Sequence, residues 1–314
     1  MVSTKFSGSI VALVTPFTMD NKIDFTVLAT LIEWHIKAGT KAIVLAGTTG
    51  ESATLSDDEK VLLAKTAVDI AQGRIQLLVG NGSNNTAASI ALTQRLNTTG
   101  IDGFLTVTPY YNKPTDAGLI AHFSAIAAVT TLPIILYNVP GRTLCDMSNE
   151  VILRLSELNN IVGIKDATAD LSRLITLKKE LTAINKEEFA LLSGDDATAL
   201  AYCLLGGHGV ISVTANIAPE KIAKMQQLLQ TATEQITSEN YYQQANLLNA
   251  ELIALHQALF IESNPIAVKW ALFWMNKLKN ANLRLPLLSL SKTAQLSLQK
   301  ILEQCGIKQC PQEN

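Results

Sequence analysis

Residues 42–68 read AIVLAGTTGESATLSDDEKVLLAKTAV and show the unit that recurs along this chain. The unit begins with an apolar run of strand length, Ala42 to Ala46. The run does not alternate between apolar and polar residues, which is typical of a strand buried on both faces in a parallel sheet. Ser56 and Glu59 then form an S-x-x-E capping box, and apolar residues follow at helical spacing. The stretch therefore predicts a buried strand followed by an amphipathic helix.

Similar units fill the first three quarters of the chain. The predicted strands are Ile10 to Val14, Ala42 to Ala46, Gln76 to Val79, Gly103 to Val107, Ile134 to Tyr137, Val162 to Lys165, Ala190 to Ser193 and Val210 to Val213. Eight strand–helix units predict an α/β fold, a (β/α)8 TIM barrel, over residues 1–230. An open, doubly wound sheet is the alternative. It is disfavoured because Thr15 to Phe17 follows the first strand, where such sheets usually carry a glycine-rich nucleotide turn.

Residues 231–314 show no strand pattern. Asn240 to Phe260, Pro265 to Lys279 and Ser291 to Gly306 each carry a helical pattern, and Pro265 is of a type favoured in the first turn of a helix. A C-terminal domain of three helices is predicted for this part of the chain.

The composition excludes several classes of protein. Of the 314 residues, 48% are apolar and 17% are charged, and the formal net charge is −2. This leaves no positive excess to neutralise phosphates, so nucleic acid is not an expected partner. The apolar runs are far shorter than the roughly 20 residues that cross a bilayer, and Met1 to Ser9 carries no export signal. We therefore expect a cytoplasmic protein that makes no membrane contact.

The cysteines and histidines lack the spacing of metal ligands. Neither a C-x-x-C nor an H-x-x-x-H pair occurs among Cys145, Cys203, Cys305, Cys310, His35, His122, His208 and His256. We expect no metal and no other cofactor, and we interpret the cysteines as reduced, small apolar residues.

A lysine ends the sixth predicted strand, directly after its apolar run. In TIM barrels the active site lies at the C-terminal ends of the strands, so Lys165 is a candidate for chemistry. Burial disfavours the ammonium form of a lysine, and a neutral amine can attack a ketone to form a Schiff base. A solvated lysine that opens a loop, or a lysine paired with Asp166, is an equally supported interpretation of this position taken alone.

Other strand ends carry polar groups that suit a keto acid. Thr48 and Thr49 stand between two glycines, where backbone N–H groups are free to face a carboxylate. Tyr137 offers a phenol for proton transfer, and Arg142 suits bidentate carboxylate binding. Residues 110–111 are two consecutive tyrosines. Together with the lysine, these groups predict one catalytic cavity.

Six motifs follow one another along almost the whole chain. They are GTTGESATL at 47–55, TPYYNKP at 108–114, LYNVPGRT at 136–143, GIKDA at 163–167, LSGDD at 192–196 and GVISVTAN at 209–216. With these motifs the sequence resembles the dihydrodipicolinate synthases, which are pyruvate-dependent class I lyases. The resemblance implies a homotetramer, a dimer of dimers, of TIM barrels with C-terminal helices.

The resemblance also implies a reaction and a role for each matching residue. Lys165 would form an imine with pyruvate, and the resulting enamine would add to the aldehyde of L-aspartate 4-semialdehyde. Tyr137 would move the protons, and Thr48 and Tyr111 would act as its relay, with Tyr111 reaching in from the neighbouring subunit. The implied substrate-binding residues are Thr49, Ile211, Arg142 and Gly194.

Arg142 separates this reaction from that of the sugar-acid lyases, which usually lack an arginine at that place. Two alternatives stay open: a pyruvate-dependent aldolase acting on a sugar acid, and a non-catalytic ligand-binding barrel. The second becomes attractive only without Lys165 or Tyr137, and both are present.

In many bacterial members of the family, lysine inhibits by binding at a dimer interface. The matching residues are Ser52, Ala53, Asp57, Lys60, Gly82, Asn84, Ala88 and Tyr110. Asp57 and Lys60 replace histidines of the lysine-sensitive forms, and Ala88 replaces a glutamate that would face the ammonium group of the ligand. The lost carboxylate and the added ammonium should both weaken lysine binding. We therefore expect weak or absent feedback inhibition.

Overall fold

A computed structural model describes residues 6–234 and 239–309. Cys310, the first part of the stretch Met1 to Ser9 and four residues just before the predicted helix at Asn240 lie outside these ranges. Within the described ranges, no helix is both long and apolar enough to cross a membrane.

The strands of the described chain form one closed barrel in sequence order. They are β1 (Gly8–Ala12), β2 (Ala42–Leu45), β3 (Gln76–Gly80), β4 (Gly103–Val107), β5 (Ile134–Asn138), β6 (Ile161–Asp166), β7 (Ala190–Ser193) and β8 (Gly209–Ser212). All neighbours are parallel, and β1 closes the barrel by pairing with β8, where Ile10 lies opposite Ile211. The predicted TIM barrel is confirmed, and the open sheet is excluded.

A helix follows each strand, and further helices complete the chain. They are α1 (Phe25–Ala38), α2 (Asp57–Ala71), α3 (Thr86–Leu96), α4 (Asp116–Ala127), α5 (Pro140–Thr143), α6 (Asn149–Ser156), α7 (Leu171–Ala183), α8 (Ala199–Leu204), α9 (Pro219–Glu234), α10 (Glu239–Ala258), α11 (Ile266–Trp274) and α12 (Lys292–Gln304). The predicted capping box begins α2: Ser56 Oγ accepts from the N–H of Glu59, and Glu59 Oε2 accepts from the N–H of Ser56. Short polar side chains that accept from the first turn also cap α1, α3, α4, α6, α7 and α12.

The predicted bounds of the first strand are wrong by two residues. The apolar pattern predicts Ile10 to Val14, whereas β1 is Gly8–Ala12. The N–H of Val14 donates to Asn216 Oδ1 at 3.1 Å and not to a neighbouring strand. A side chain from the turn after β8 therefore ends the ladder at this point.

The predicted helix from Pro265 to Lys279 is also too long, because α11 ends at Trp274. Asn276 adopts a left-handed backbone conformation with φ of 61°, a conformation that asparagine tolerates and that ends helices. The N–H of Lys277 then donates to the carbonyl of Leu272 at 2.8 Å. The apolar pattern continues past this point although the helix does not.

Two groups of apolar side chains form the core. One fills the barrel interior and includes Ile10, Val44, Leu78, Leu105, Ile135, Tyr137, Leu192 and Ile211. The other packs the outer face of the barrel against the helices. Lys165 lies opposite Tyr137 on β5 and Leu192 on β7, and both partners belong to the interior group. The lysine is thus placed at the inner, C-terminal end of the barrel.

The three C-terminal helices pack on the barrel. Leu252 and Leu255 of α10 and Leu298 and Leu302 of α12 are buried in the same outer core group as the barrel helices. The helical extension is confirmed, and the division into domains at residues 230 and 231 stays a prediction.

Candidate active site

Lys165 and Tyr137 lie side by side on neighbouring strands. The Nζ atom of Lys165 is 4.4 Å from the centroid of the Tyr137 ring, and the two residues are only 5% and 6% exposed. The register of β5 and β6 places the two residues directly opposite each other. An amine and a phenol therefore meet at the buried end of the barrel.

Asp166 does not form an ion pair with Lys165. Its Oδ2 lies 3.3 Å from Nε of Arg173 on α7, and its Oδ1 accepts from the N–H of Thr168. Burial raises the pKa of the Asp166 carboxyl, and the charge of Arg173 acts in the opposite direction. Among the described residues, no carboxylate lies within ion-pair distance of Lys165 Nζ. Lys165 is therefore neither a solvated lysine opening a loop nor the ion-pair partner of Asp166.

The turn that follows β2 carries both candidate threonines, and we call residues 46–51 the threonine turn. Ala46 and Glu51, at its two ends, have φ of 48° and 57°. Such left-handed conformations cost roughly 1 kcal/mol or more in residues other than glycine. Thr15 Oγ1 donates to the carbonyl of Gly50 at 2.7 Å and ties the turn to the end of β1. The turn is thus strained and is held in place by its surroundings.

Thr49 is buried, and Asn264 fixes its hydroxyl. Asn264 Nδ2 donates to Thr49 Oγ1 at 2.9 Å, while the Asn264 carbonyl accepts a long hydrogen bond, 3.4 Å, from Nη2 of Arg142. Asn264 thus contacts two of the predicted binding residues, although the sequence pattern did not single it out. It lies more than 200 residues from Thr49, and a lone asparagine before a proline indicates only a turn.

Arg142 lies on α5, a one-turn helix between β5 and α6 that the sequence interpretation did not include. Pro140 occupies its first position, where the missing N–H costs no hydrogen bond. The arginine is exposed and has no carboxylate partner among the described residues. Its guanidinium is available to an acidic substrate.

A cavity of about 510 Å³ joins several of these groups. Thr48, Tyr137 and Arg142 line it, together with Glu51 and Asn264. The buried Lys165 does not line it directly but packs against the Tyr137 ring, which does. In the described part of the chain, no cluster of histidine, cysteine, aspartate and glutamate could hold a metal ion.

Ile211 and Gly194 lie at neighbouring strand ends. Ile211 is buried on β8, opposite Ile10. Gly194 follows β7, and its N–H donates to the carbonyl of Asp166 at 2.7 Å. Both positions offer backbone groups and no polar side chain, so any contact with a substrate carboxylate would be made by the main chain.

Tyr111 is not brought to this cavity within one chain. Its side chain is 88% exposed, and its backbone has φ of 74°, an unfavourable conformation for an aromatic residue. An exposed tyrosine on a strained loop is available to a second copy of the chain. Of the two predicted relay residues, a single subunit thus brings Thr48 to the cavity of Tyr137 and not Tyr111.

The same cavity reaches the residues predicted for lysine regulation, and seven of the eight line it. Asn84 does not, and its carbonyl accepts from Nδ2 of Asn112. Lys60 is buried, and its Nζ lies 3.8 Å from Asp57 Oδ1. Burial lowers the pKa of Lys60, and the carboxylate of Asp57 opposes this shift. The residues predicted for lysine regulation therefore include a buried amine beside a carboxylate.

Comparison with known proteins identifies the family. The family model described as "Dihydrodipicolinate synthetase family" matches residues 5–305. This chain belongs to that family. The 4-hydroxy-tetrahydrodipicolinate synthase of Alcanivorax borkumensis is 49% identical over 300 residues, which cover 96% of this chain and 98% of the relative. The enzyme of the same name from Idiomarina loihiensis is 47% identical and covers 96% and 97%.

Solved structures of the dihydrodipicolinate synthetase family agree with the fold. The chloride-inhibited dihydrodipicolinate synthase of Acinetobacter baumannii, complexed with pyruvate, is 46% identical and matches with a TM-score of 0.90 over 96% of this chain and 99% of that one. The dihydrodipicolinate synthase of Aquifex aeolicus is 38% identical, with the same TM-score over 98% and 100%. The resemblance stated from the sequence motifs is thereby confirmed at the level of the family.

Proposed function

We propose that this protein condenses pyruvate with L-aspartate 4-semialdehyde to give 4-hydroxy-tetrahydrodipicolinate, a step of diaminopimelate and lysine biosynthesis. The observation that carries the proposal is the buried pair of Lys165 and Tyr137, an amine 4.4 Å from a phenol ring at the end of the barrel. The full-length similarity to enzymes that bear this name supports the choice of substrates.

Lys165 supplies the nucleophile. Its amine attacks the keto carbon of pyruvate, and loss of water leaves an imine. The imine withdraws electrons, so the pyruvate methyl group loses a proton and an enamine forms. The enamine carbon then bonds to the aldehyde carbon of the semialdehyde, whose oxygen takes up a proton and becomes a hydroxyl. The amino group of the semialdehyde finally displaces Lys165 from the imine carbon, which closes the ring and regenerates the free amine.

Tyr137 moves the protons in these steps, since it is the acid–base group next to Lys165. An ordinary phenol titrates near pH 10, so proton transfer at neutral pH requires a relay. Thr48, which lines the same cavity, and Tyr111 of a second subunit provide that relay. This use of Tyr111 requires a homo-oligomer. The family resemblance favours a tetramer built as a dimer of dimers, and an enzyme of amino-acid biosynthesis is expected in the cytoplasm.

The carboxylates of the two substrates bind at different places. Thr49 and the backbone N–H groups of the threonine turn, with the backbone at Ile211, hold the carboxylate of pyruvate. The backbone of Gly194, which lies beside Lys165, completes this part of the substrate site. Arg142, exposed at the cavity, binds the carboxylate of the semialdehyde.

One assay tests the proposal. Purified protein is given pyruvate and L-aspartate semialdehyde, and formation of the cyclic product is followed through a reductase that consumes it. We expect turnover in the wild type and none in Lys165→Ala. In Arg142→Ala, the KM for the semialdehyde should rise more than the KM for pyruvate does. If the wild type does not condense pyruvate with the semialdehyde but cleaves a sugar acid, the protein is a sugar-acid aldolase.

A further inference from the structure

A buried ion pair joins the C-terminal helices to the threonine turn. Nζ of Lys269, on α11, lies 2.7 Å from Oε1 of Glu51. Both side chains are 1% exposed, and the proposed chemistry uses neither of them. A buried pair of this kind requires a close, fully hydrogen-bonded geometry, because each charge has lost its water.

The surroundings of the pair satisfy both charges. Glu51 Oε2 accepts from the N–H of Arg284 at 3.0 Å, and Lys269 Nζ lies 4.0 Å from the centroid of the Phe17 ring. The guanidinium of Arg284 contacts the same ring at 4.6 Å and donates to the carbonyl of Thr54 at 2.8 Å. Lys269 and Arg284, from two separate stretches of the C-terminal part, thus both contact the carboxylate of Glu51.

Glu51 transmits this restraint to the threonines through its backbone. Its N–H donates to the carbonyl of Thr48 at 3.1 Å, and its left-handed φ is unfavourable for a glutamate. Without a cation, a buried carboxylate at this place would move toward water and take the end of the turn with it. Thr48 and Thr49 would then shift relative to Tyr137 and Lys165.

We propose that Lys269 is a positioning residue for the condensation, because its ion pair with Glu51 fixes the turn on which Thr48 and Thr49 meet pyruvate. Asn264 is the second anchor from the same segment, through its hydrogen bond to Thr49. The C-terminal helices therefore set the geometry of the pyruvate site, although their side chains do not react. This inference rests on the proposed function and adds a residue to it.

The substitution Lys269→Met tests this role, because methionine retains an apolar chain over Phe17 and removes the charge. We expect the KM for pyruvate to rise about tenfold and kcat to fall by a similar factor, since misplacing a substrate-positioning group by about 1 Å has effects of this size or larger. The KM for the semialdehyde should stay within about twofold, because Lys269 does not contact Arg142. The pyruvate concentration that half-saturates borohydride trapping on Lys165 should rise with the KM for pyruvate.

Lys221→Met is the matched control. Lys221 on α9 pairs with Glu251 on α10 at 2.8 Å and contacts the carbonyl of Cys305, so the change removes another lysine ion pair between the barrel part and the C-terminal helices. We expect its pyruvate KM to stay at the wild-type value. An equal rise in both variants, or a folded Lys269→Met protein with unchanged pyruvate KM, would overturn the proposal.

Glu51→Gln serves if Lys269→Met does not fold. Burial lowers the pKa of Lys269 to about 8, an effect that Glu51 opposes, so Lys269 can lose its proton once the carboxylate is gone. We expect this variant to fold and to show the same selective rise in pyruvate KM, and an unchanged KM would overturn the proposal. Wild-type protein that traps no pyruvate at all would refute the proposed function itself. If the wild type and the variants trap pyruvate equally well, only the positioning role of Lys269 is refuted.

Discussion

Gly194 leaves the space that the side chain of Lys165 occupies. A Cβ atom placed on Gly194 would lie 3.0 Å from Cε of Lys165 and 2.7 Å from Cβ of Ala167. Both distances are too short for ordinary contact, and the backbone of β7 cannot move without breaking its pairing with β6. The absence of a side chain at Gly194 is therefore a condition for the position of the reactive amine.

Gly194→Ala should reduce the rate by displacing Lys165. We expect kcat to fall roughly tenfold or more, since a displaced nucleophile no longer attacks at the right distance. The comparison is Gly141→Ala, because a Cβ atom at Gly141 would meet no atom within 4 Å. Steady-state kinetics of both variants provide the measurement, and equal kcat values would show that Lys165 does not depend on this space.

Tyr111 should act in the site of a neighbouring subunit. We expect Tyr111→Phe to lower kcat by about 10²-fold or more, as loss of a proton-transfer group does. Lys165→Ala should be inactive by itself. Mixing the two inactive chains and allowing them to exchange subunits should restore about a quarter of the wild-type activity, because half of the dimers are mixed and each contains one complete site. Mixtures that stay inactive after proven exchange would place Tyr111 in its own subunit's site.

Feedback inhibition by lysine should be weak. Lys60 already places an ammonium group in the cavity, and Ala88 offers no carboxylate. We expect no inhibition at sub-millimolar L-lysine in a titration of activity. Lys60→His combined with Ala88→Glu should tighten inhibition by about tenfold or more, which corresponds to about 1.4 kcal/mol. Strong inhibition of the wild type at sub-millimolar lysine would contradict the expectation.

Stability should fall as the pH is lowered through the range in which histidine titrates in the unfolded chain. His35 is fully buried, and burial lowers its pKa to about 3, while an unfolded histidine titrates near 6.5. Below pH 6.5 the unfolded state therefore binds a proton that the folded state excludes. From pH 7 to pH 5 this group alone should remove about 2 kcal/mol from the free energy of unfolding.

Urea unfolding of the wild type and of His35→Leu at both pH values measures this contribution. The loss of stability on acidification should be about 2 kcal/mol smaller in the variant. His35 also contacts Thr40 Oγ1 at 3.0 Å, so the comparison uses the change between pH values and not the absolute stability. If the free energy of unfolding depends on pH identically in the two proteins, His35 does not cause the loss of stability on acidification.

The barrel could be predicted because its determinants are local. A strand buried on both faces needs a continuous apolar run, and a helix needs a cap and a periodic face, and both are visible within about 15 residues. Parallel strands end at the same face of a barrel, so Lys165, Tyr137 and Thr48 could be placed together before any coordinates were known.

The parts that sequence reasoning missed depend on contacts between distant segments. Asn216, in the turn after β8, ends β1 although about 200 residues separate them in the sequence, and Asn264 fixes Thr49 across a similar separation. Lys269 looks like one polar residue in an apolar helix until its contact with Glu51 is seen. No local pattern specifies such a pairing, because both partners are chosen by the packing of the finished fold.

The proposed function depends first on capture of pyruvate by the amine of Lys165. Protein is incubated with pyruvate, reduced with borohydride, and digested, and the modified peptide is identified by mass spectrometry. We expect one reduced pyruvate adduct per chain, located on Lys165 and absent from Lys165→Ala. A protein that gains no adduct, or that is modified on another lysine to the same extent with and without Lys165, would show that Lys165 is not the nucleophile.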